Sequence, residues 1–208
     1  MNEAFLKLDS EKRERILQAA YEEFTEHSYD NASTNRIVKK AKIGKGMLFY
    51  YFGNKEDLFH YLIDYGLDFI QEGYLGKLEQ STHDFIERCK LLGQEKMAAY
   101  AKAPYIIDFF AKVYINNQLN ELPLGIAEKR EQMMQLAYNQ LYANLDYSLF
   151  REDIPHGEAM KMIKWIFDGY EKELTNQLKD IDISYENVLP FLDEYEDFLE
   201  IIKRTFYK

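Results

Sequence analysis

The residues of this chain that could carry reactive chemistry are few and scattered. Four histidines, His27, His60, His83 and His156, stand far apart, and no two have the i, i+4 spacing with which one helix face holds a metal. Cys89 is the only cysteine, so neither an intrachain disulfide nor a cysteine zinc site is available. It sits in an ordinary helical pattern, as a buried inert thiol does. No nucleophile elbow, phosphate loop or dinucleotide fingerprint occurs. The acidic run Asp193, Glu194, Glu196 and Asp197 reads as a solvated face. The expectation is a protein that is not an enzyme and needs no cofactor or metal.

What the residue types do support is recognition of a polyanion. The chain carries 26 Lys and Arg against 36 Asp and Glu, a net charge of −10. The excess is confined to residues 59–208. Within residues 31–55 lie Arg36, Lys39, Lys40, Lys42, Lys45 and Lys55 and no acid at all. Such a local positive surface on an acidic protein is an electrostatic footprint for nucleic acid. The same stretch places Phe49, Tyr50 and Tyr51 side by side in KIGKGMLFYYFGNKEDL. Adjacent rings point in different directions around a helix, so burial alone does not account for them.

The elements that must position these residues are helices. Four prolines and ten glycines in 208 residues leave little punctuation for a many-stranded sheet. Asp9 or Ser10 caps a first helix to about His27, with Ile16, Leu17, Ala20 and Phe24 on one face. Ser33 or Thr34 caps a short second helix with Ile37, Val38 and Ala41 inward. A third runs from about Lys45 to Phe52, stopped by Gly53. Its Leu48 and Phe52 share a face and anchor it. Asn54 caps a fourth. Two short helices joined by a tight turn, the second basic and aromatic outside, have the form of a helix-turn-helix, whose second helix enters the major groove. Five longer helices follow: roughly 83–102, a segment after Pro104, 124–146, one from Pro155 to about 178, and 185–206. No segment alternates with period two. The fold expected is all-α with about nine helices, a three-helix DNA-binding domain over residues 1–54 and a larger effector-binding and dimerisation domain over 55–208.

The run T-x-x-I-V-x-x-A-x-I-G-x-G-M-L-F-x-Y-F-x-x-K-E-x-L, from Thr34 to Leu58, resembles the signature of the tetracycline-repressor (TetR) family of bacterial transcription regulators. The resemblance covers about the first 60 residues. It implies a homodimeric repressor that reads a palindromic operator in double-stranded DNA through the helix at 45–52 and is released by a small molecule bound in the larger domain. It assigns DNA contacts to Thr34, Lys45, Gly46, Met47, Phe49, Tyr50, Tyr51 and Lys55, and Arg36 joins them as a base of the acid-free window. The chain departs from the pattern in three places. Phe49 lacks the hydroxyl of the usual phosphate-binding tyrosine. Met47 replaces a small polar residue. Lys42 replaces the turn glycine, which costs about 1–2 kcal/mol if that position has positive φ, unless Gly44 takes the strain.

The rest of the chain is read for two further surfaces. Val188, Leu192, Tyr195, Leu199, Ile202 and Phe206 step by 4, 3, 4, 3, 4, a heptad-type seam. With the preceding helix this gives an expected dimer interface of Ile163, Phe167, Tyr170, Leu192, Tyr195, Leu199 and Ile202. A pocket for the small-molecule effector is expected among Tyr100, Tyr105, Phe109, Phe110, Tyr114, Tyr138 and Trp165, although aromatic residues at helical spacing also serve as plain core. The N-terminus lacks the apolar segment of a signal peptide, and no window is apolar enough to span a membrane, so a cytoplasmic location is expected. The alternative function is an all-helical dimeric ligand carrier or interaction protein that does not read DNA.

Overall fold

The computed structural model describes residues 3–73, 75, 82–116, 119, 122–179, 181 and 185–208. Among them are ten α-helices: α1 (Glu3–Leu6), α2 (Ser10–Asn31), α3 (Thr34–Lys40), α4 (Lys45–Phe52), α5 (Lys55–Gly73), α6 (Phe85–Lys102), α7 (Pro104–Ile115), α8 (Leu124–Tyr142), α9 (His156–Leu178) and α10 (Tyr185–Phe206). The described residues form no β-strand, only an isolated bridge between Phe150 and Tyr207. The helix beyond the nine expected is α1, a single turn. No helix among the described residues is long and apolar enough to cross a membrane.

The chain divides into two compact units, residues 1–71 with 100–133, and residues 72–99 with 134–208. The division expected at residue 54 falls inside the first unit, because α5 and α7 pack with the N-terminal helices. In that unit α2 is the organising element. Asp9 caps it by accepting the Lys12 amide at 2.8 Å, and Ile16, Leu17, Ala20 and Phe24 are all buried along one face. Regular α-geometry stops at Ser28 (φ 59, ψ 170), as the turn reading of SYDNAS anticipates. Helix α7 packs through rings against α2 and α5: Phe109 meets Tyr21 of α2 edge-on at 5.1 Å and Phe59 of α5 at 5.6 Å. The buried Tyr21 hydroxyl donates to the Leu62 carbonyl at 2.7 Å. Gly66 of α5 has no substitute here, since a Cβ would lie 2.2 Å from the Phe110 ring.

The second unit has its own core of Phe85, Ile86, Cys89, Phe150, Ile163, Leu199, Ile202 and Phe206. Arg88 is buried within it and caps α8. Its guanidinium donates to the carbonyls of Gln140 at 2.9 Å and Ala143 at 2.6 Å, groups a helix end leaves without partners, and also to Thr82. The chain end is tied down by backbone bonds Arg151 to Phe206 and Lys208 to Leu149, and by the Tyr207 hydroxyl donating to Asp84.

Candidate nucleic-acid interface

Helix α3 begins at a carboxylate from another helix. Glu23 of α2 is 6% exposed and accepts the Ser33 amide at 2.7 Å, the Arg36 Nη2 at 2.6 Å and the Arg36 Nε at 2.9 Å. Burial pushes this carboxyl up, but the hydrogen bonds from Arg36 and the Ser33 amide outweigh it and hold the group below the ordinary carboxylate range. Ser33 is the N-cap residue by backbone position but makes no side-chain cap bond. Glu23 supplies that acceptor instead.

The far end of α3 sets the angle of α4. The Ile43 amide donates to the Val38 carbonyl and the Lys42 amide to the Lys39 carbonyl, the paired bonds of a Schellman turn. That turn requires a left-handed residue, and Lys42 occupies it with φ 53. The strain expected at the missing glycine is therefore real and stays there, since Gly44 has φ −73. Arg15 of α2 steadies the corner by donating to the Ala41 carbonyl at 2.9 Å.

Helix α4 is anchored from behind by Leu48, Tyr51 and Phe52, all buried. Phe5 of α1 packs on Phe52 at 4.7 Å and on Tyr51 at 5.6 Å. The helix stops at Gly53 (φ 82), where a Cβ would stand 2.9 Å from Asp57 Oδ2. Asn54 then caps α5 by accepting the Asp57 amide at 2.8 Å. The outward arc of α4 carries Lys45, Gly46, Met47, Phe49 and Tyr50, the last 56% exposed. Beside it, Lys39, Lys42 and Lys45 are exposed and form no ion pair among the described residues.

Three expected contacts are placed differently. Tyr51 is 2% exposed, so its ring belongs to the core and does not face outward toward phosphate. Its position follows from the helical period: three residues on from Leu48, it lies about 60° from that anchor on the side away from Phe52. Arg36 spends its guanidinium on Glu23 and on the Asn31 carbonyl. Lys55 donates to the Tyr29 carbonyl at 2.8 Å, and reaches those of Asp30 and Ala32, with its ammonium 4.6 Å from the Tyr29 ring centre. It satisfies the carbonyls left at the end of α2. Thr34 is half-buried at the first turn of α3.

The residues expected to line an effector pocket are spread over both units. Phe109 is fully buried core and Tyr100 is buried; Phe110 covers Gly66, and the Tyr105 hydroxyl donates to Glu14. Tyr114 is exposed. In the second unit Tyr138 and Trp165 are exposed beside Lys164 and Lys161 respectively.

The expected dimer seam faces the inside of the second unit. Ile163, Leu199 and Ile202 are core. Phe167 packs on Phe85 and Phe198, Tyr170 stacks on Phe198 at 4.4 Å, and Tyr195 hydrogen-bonds with Cys89, whose thiol burial pushes up to about 12. Leu192 is half-buried. The exposed apolar stripe of α9 lies roughly 100° around the helix from Ile163: Met162, Trp165 and Ile166, with Gly169 in line. The heptad-type seam of α10 thus builds the core of the second unit, and the exposed stripe of α9 is a separate surface.

Helices α3 and α4 thus form a core-anchored helix-turn-helix with a basic, aromatic outer face. Residues 16–62 match the family model of bacterial regulatory proteins, tetR family. Over those residues the chain carries a TetR-type DNA-binding region. It is 27% identical over 143 residues, 69% of each chain, to an HTH-type transcriptional regulator of Staphylococcus aureus strain USA300. Its fold is that of a TetR family transcriptional regulator from Chloroflexus aurantiacus, with TM-score 0.64 and 22% identity over 100% of this chain and 98% of that one. It is also similar to the regulator FadR from Bacillus subtilis in complex with stearoyl-CoA, with TM-score 0.55 and 18% identity over 91% and 96% of the two chains. The chain is thus similar to TetR-family transcriptional regulators in its DNA-binding region and in its fold.

Proposed function

We propose that the chain is a homodimeric, cytoplasmic repressor whose α4 helices enter successive major grooves of a palindromic operator, and that a small molecule bound by its helices beyond α5 releases it. The observation that carries this reading is the outward arc of α4. A Cβ placed on Gly46 would meet nothing within 4 Å, so the face of the helix is open there and the backbone can approach a duplex closely. Lys39, Lys42 and Lys45 supply the positive charge, and Leu48, Tyr51 and Phe52 hold the helix from behind. The DNA contacts we assign are Lys45, Gly46, Met47, Phe49 and Tyr50, with Lys39 and Lys42 on the phosphates and Thr34 at the start of α3. The carrier alternative leaves that arc unexplained.

Dimerisation follows from the site, because one eight-residue helix covers only a half-site and a two-fold pair reads a palindrome. The surface we assign to it is Met162, Trp165 and Ile166 on α9, not the buried seam of α10. The effector of this chain is a small molecule of the kind its relatives bind; the stearoyl-CoA complex of FadR makes acyl-CoA thioesters the first class to assay. Selection of duplexes from a random pool by the full-length protein tests the reading. A single enriched inverted repeat is expected, bound by a dimer in sedimentation. Trp165→Glu with Ile166→Glu should give a monomer that loses that repeat. Recovery of no sequence above background would refute the proposal.

A further inference from the structure

The composition of the α4 arc says how the operator is read, and this inference rests on the DNA-reading proposal above. At about 100° per residue, Gly46 is the centre of the exposed arc. Phe49 and Tyr50 flank it, and Lys45 and Met47 form its margins. The helix, KGMLFYYF, contains no Arg, Asn, Gln, Asp or Glu. Those are the side chains that pair with base edges through two hydrogen bonds or accept from cytosine. The polar groups left on the arc are the Lys45 amine and the Tyr50 hydroxyl. Against them stand three apolar surfaces held out toward solvent: Met47 at 39% exposure, the Phe49 ring at 38% and the Tyr50 ring. An unbranched thioether and ring edges cannot donate to or accept from a base. The one apolar feature the major groove offers is the C5-methyl of thymine. The open space over Gly46 lets the helix come near enough for that contact.

We infer that this regulator discriminates its operator chiefly by packing Met47, Phe49 and Tyr50 against thymine methyl groups, so that each half-site carries thymines under the centre of α4. The lysines hold the duplex in place and add little sequence preference beyond what Lys45 draws from guanine. Methyl packing is short-ranged and insensitive to salt, whereas the lysine contacts are salt-dependent, so the two contributions separate experimentally.

The test uses duplexes selected by the full-length protein from a random pool, resynthesised with deoxyuracil in place of each thymine in turn. Deoxyuracil keeps every hydrogen-bonding group and lacks only the methyl. Affinity should fall about fourfold for each contacted thymine, the loss for withdrawing one buried methyl group, with the salt slope unchanged. Phe49→Ala or Met47→Ala should bind the thymine duplex more weakly and become indifferent to deoxyuracil at the position that side chain covers. If a selected duplex binds tightly yet deoxyuracil is neutral at every position, methyl reading is overturned while the DNA-reading proposal stands. If no duplex is enriched, both fall together.

Discussion

The Glu23 carboxylate is the feature of the helix-turn-helix whose removal can be worked out most fully. Glu23→Ala deletes the acceptor of the Ser33 amide at 2.7 Å and of three hydrogen bonds from Arg36. The guanidinium has an exposed side and returns to water, so its loss is not counted. The Ser33 amide loses a charge-assisted bond at a half-buried helix start, which costs about 1.5–3 kcal/mol. Glu23→Gln keeps a neutral acceptor for that amide, so its loss should be about 1 kcal/mol. At roughly 2–4 °C per kcal/mol for a chain of this size, the alanine variant should melt about 3–12 °C lower. The pH dependence has a definite sign. The folded-state carboxyl is depressed below the ordinary 4.5, so the unfolded state binds more protons in that window. The contribution is therefore complete above pH 4.5 and lost as pH falls through the folded-state value. Calorimetry or urea unfolding at several pH values reads it: the gap between wild type and Glu23→Gln should be largest near neutrality and close in acid. An alanine variant within 0.5 kcal/mol of wild type, or a gap that does not move with pH, would refute the reasoning.

Other expectations follow from single contacts. Gly66→Ala should cost about 1–3 kcal/mol in urea unfolding by overpacking against Phe110, and Phe110→Leu in the same chain should recover part of it. Lys55→Met should lower stability by about 1–2 kcal/mol, because carbonyls at the end of α2 lose their donor, and should leave the salt slope of DNA binding unchanged. Lys42→Gly should raise stability by about 0.5–1 kcal/mol, the relief of a left-handed lysine less the added chain entropy of glycine, while lowering the salt slope by about two phosphate contacts, one from each subunit. Stability by thermal melting and affinity by salt titration would check both halves of that trade.

Much of the site was legible before any coordinates, and the misses share a cause. Leu48 and Phe52 were readable as anchors because they are four apart, and Gly53 and Asn54 because stop and cap residues act locally. Tyr51 was misjudged because a hydroxyl suggested phosphate, while the helical period already put its ring about 60° from Leu48, beside the anchors. Arg36 and Lys55 carry the right charge, but their partners sit 13 and 26 residues away, a distance no local pattern spans. The same holds for Glu23, which looked like one acid among many on α2. In the last two helices, periodicity showed correctly that one stripe is buried. It could not say whether that stripe meets its own protomer or a second copy, because both bury the same kind of surface. Met162, Trp165 and Ile166 of α9 are also three and four residues apart, and it is their exposure, visible only in the fold, that makes them the surface proposed for a second copy.

The central claim, that the outer arc of α4 meets a duplex, is tested most directly by titrating salt against affinity for a selected duplex. Wild type should lose about 10³–10⁵ in affinity between 50 and 200 mM salt, as 6–10 phosphate contacts require. Lys45→Ala should lower the slope by about two contacts, one from each subunit, and Tyr50→Ala should change which duplex is preferred. An affinity that does not change with salt, or four variants at Lys42, Lys45, Met47 and Tyr50 that all bind as wild type does, would contradict it.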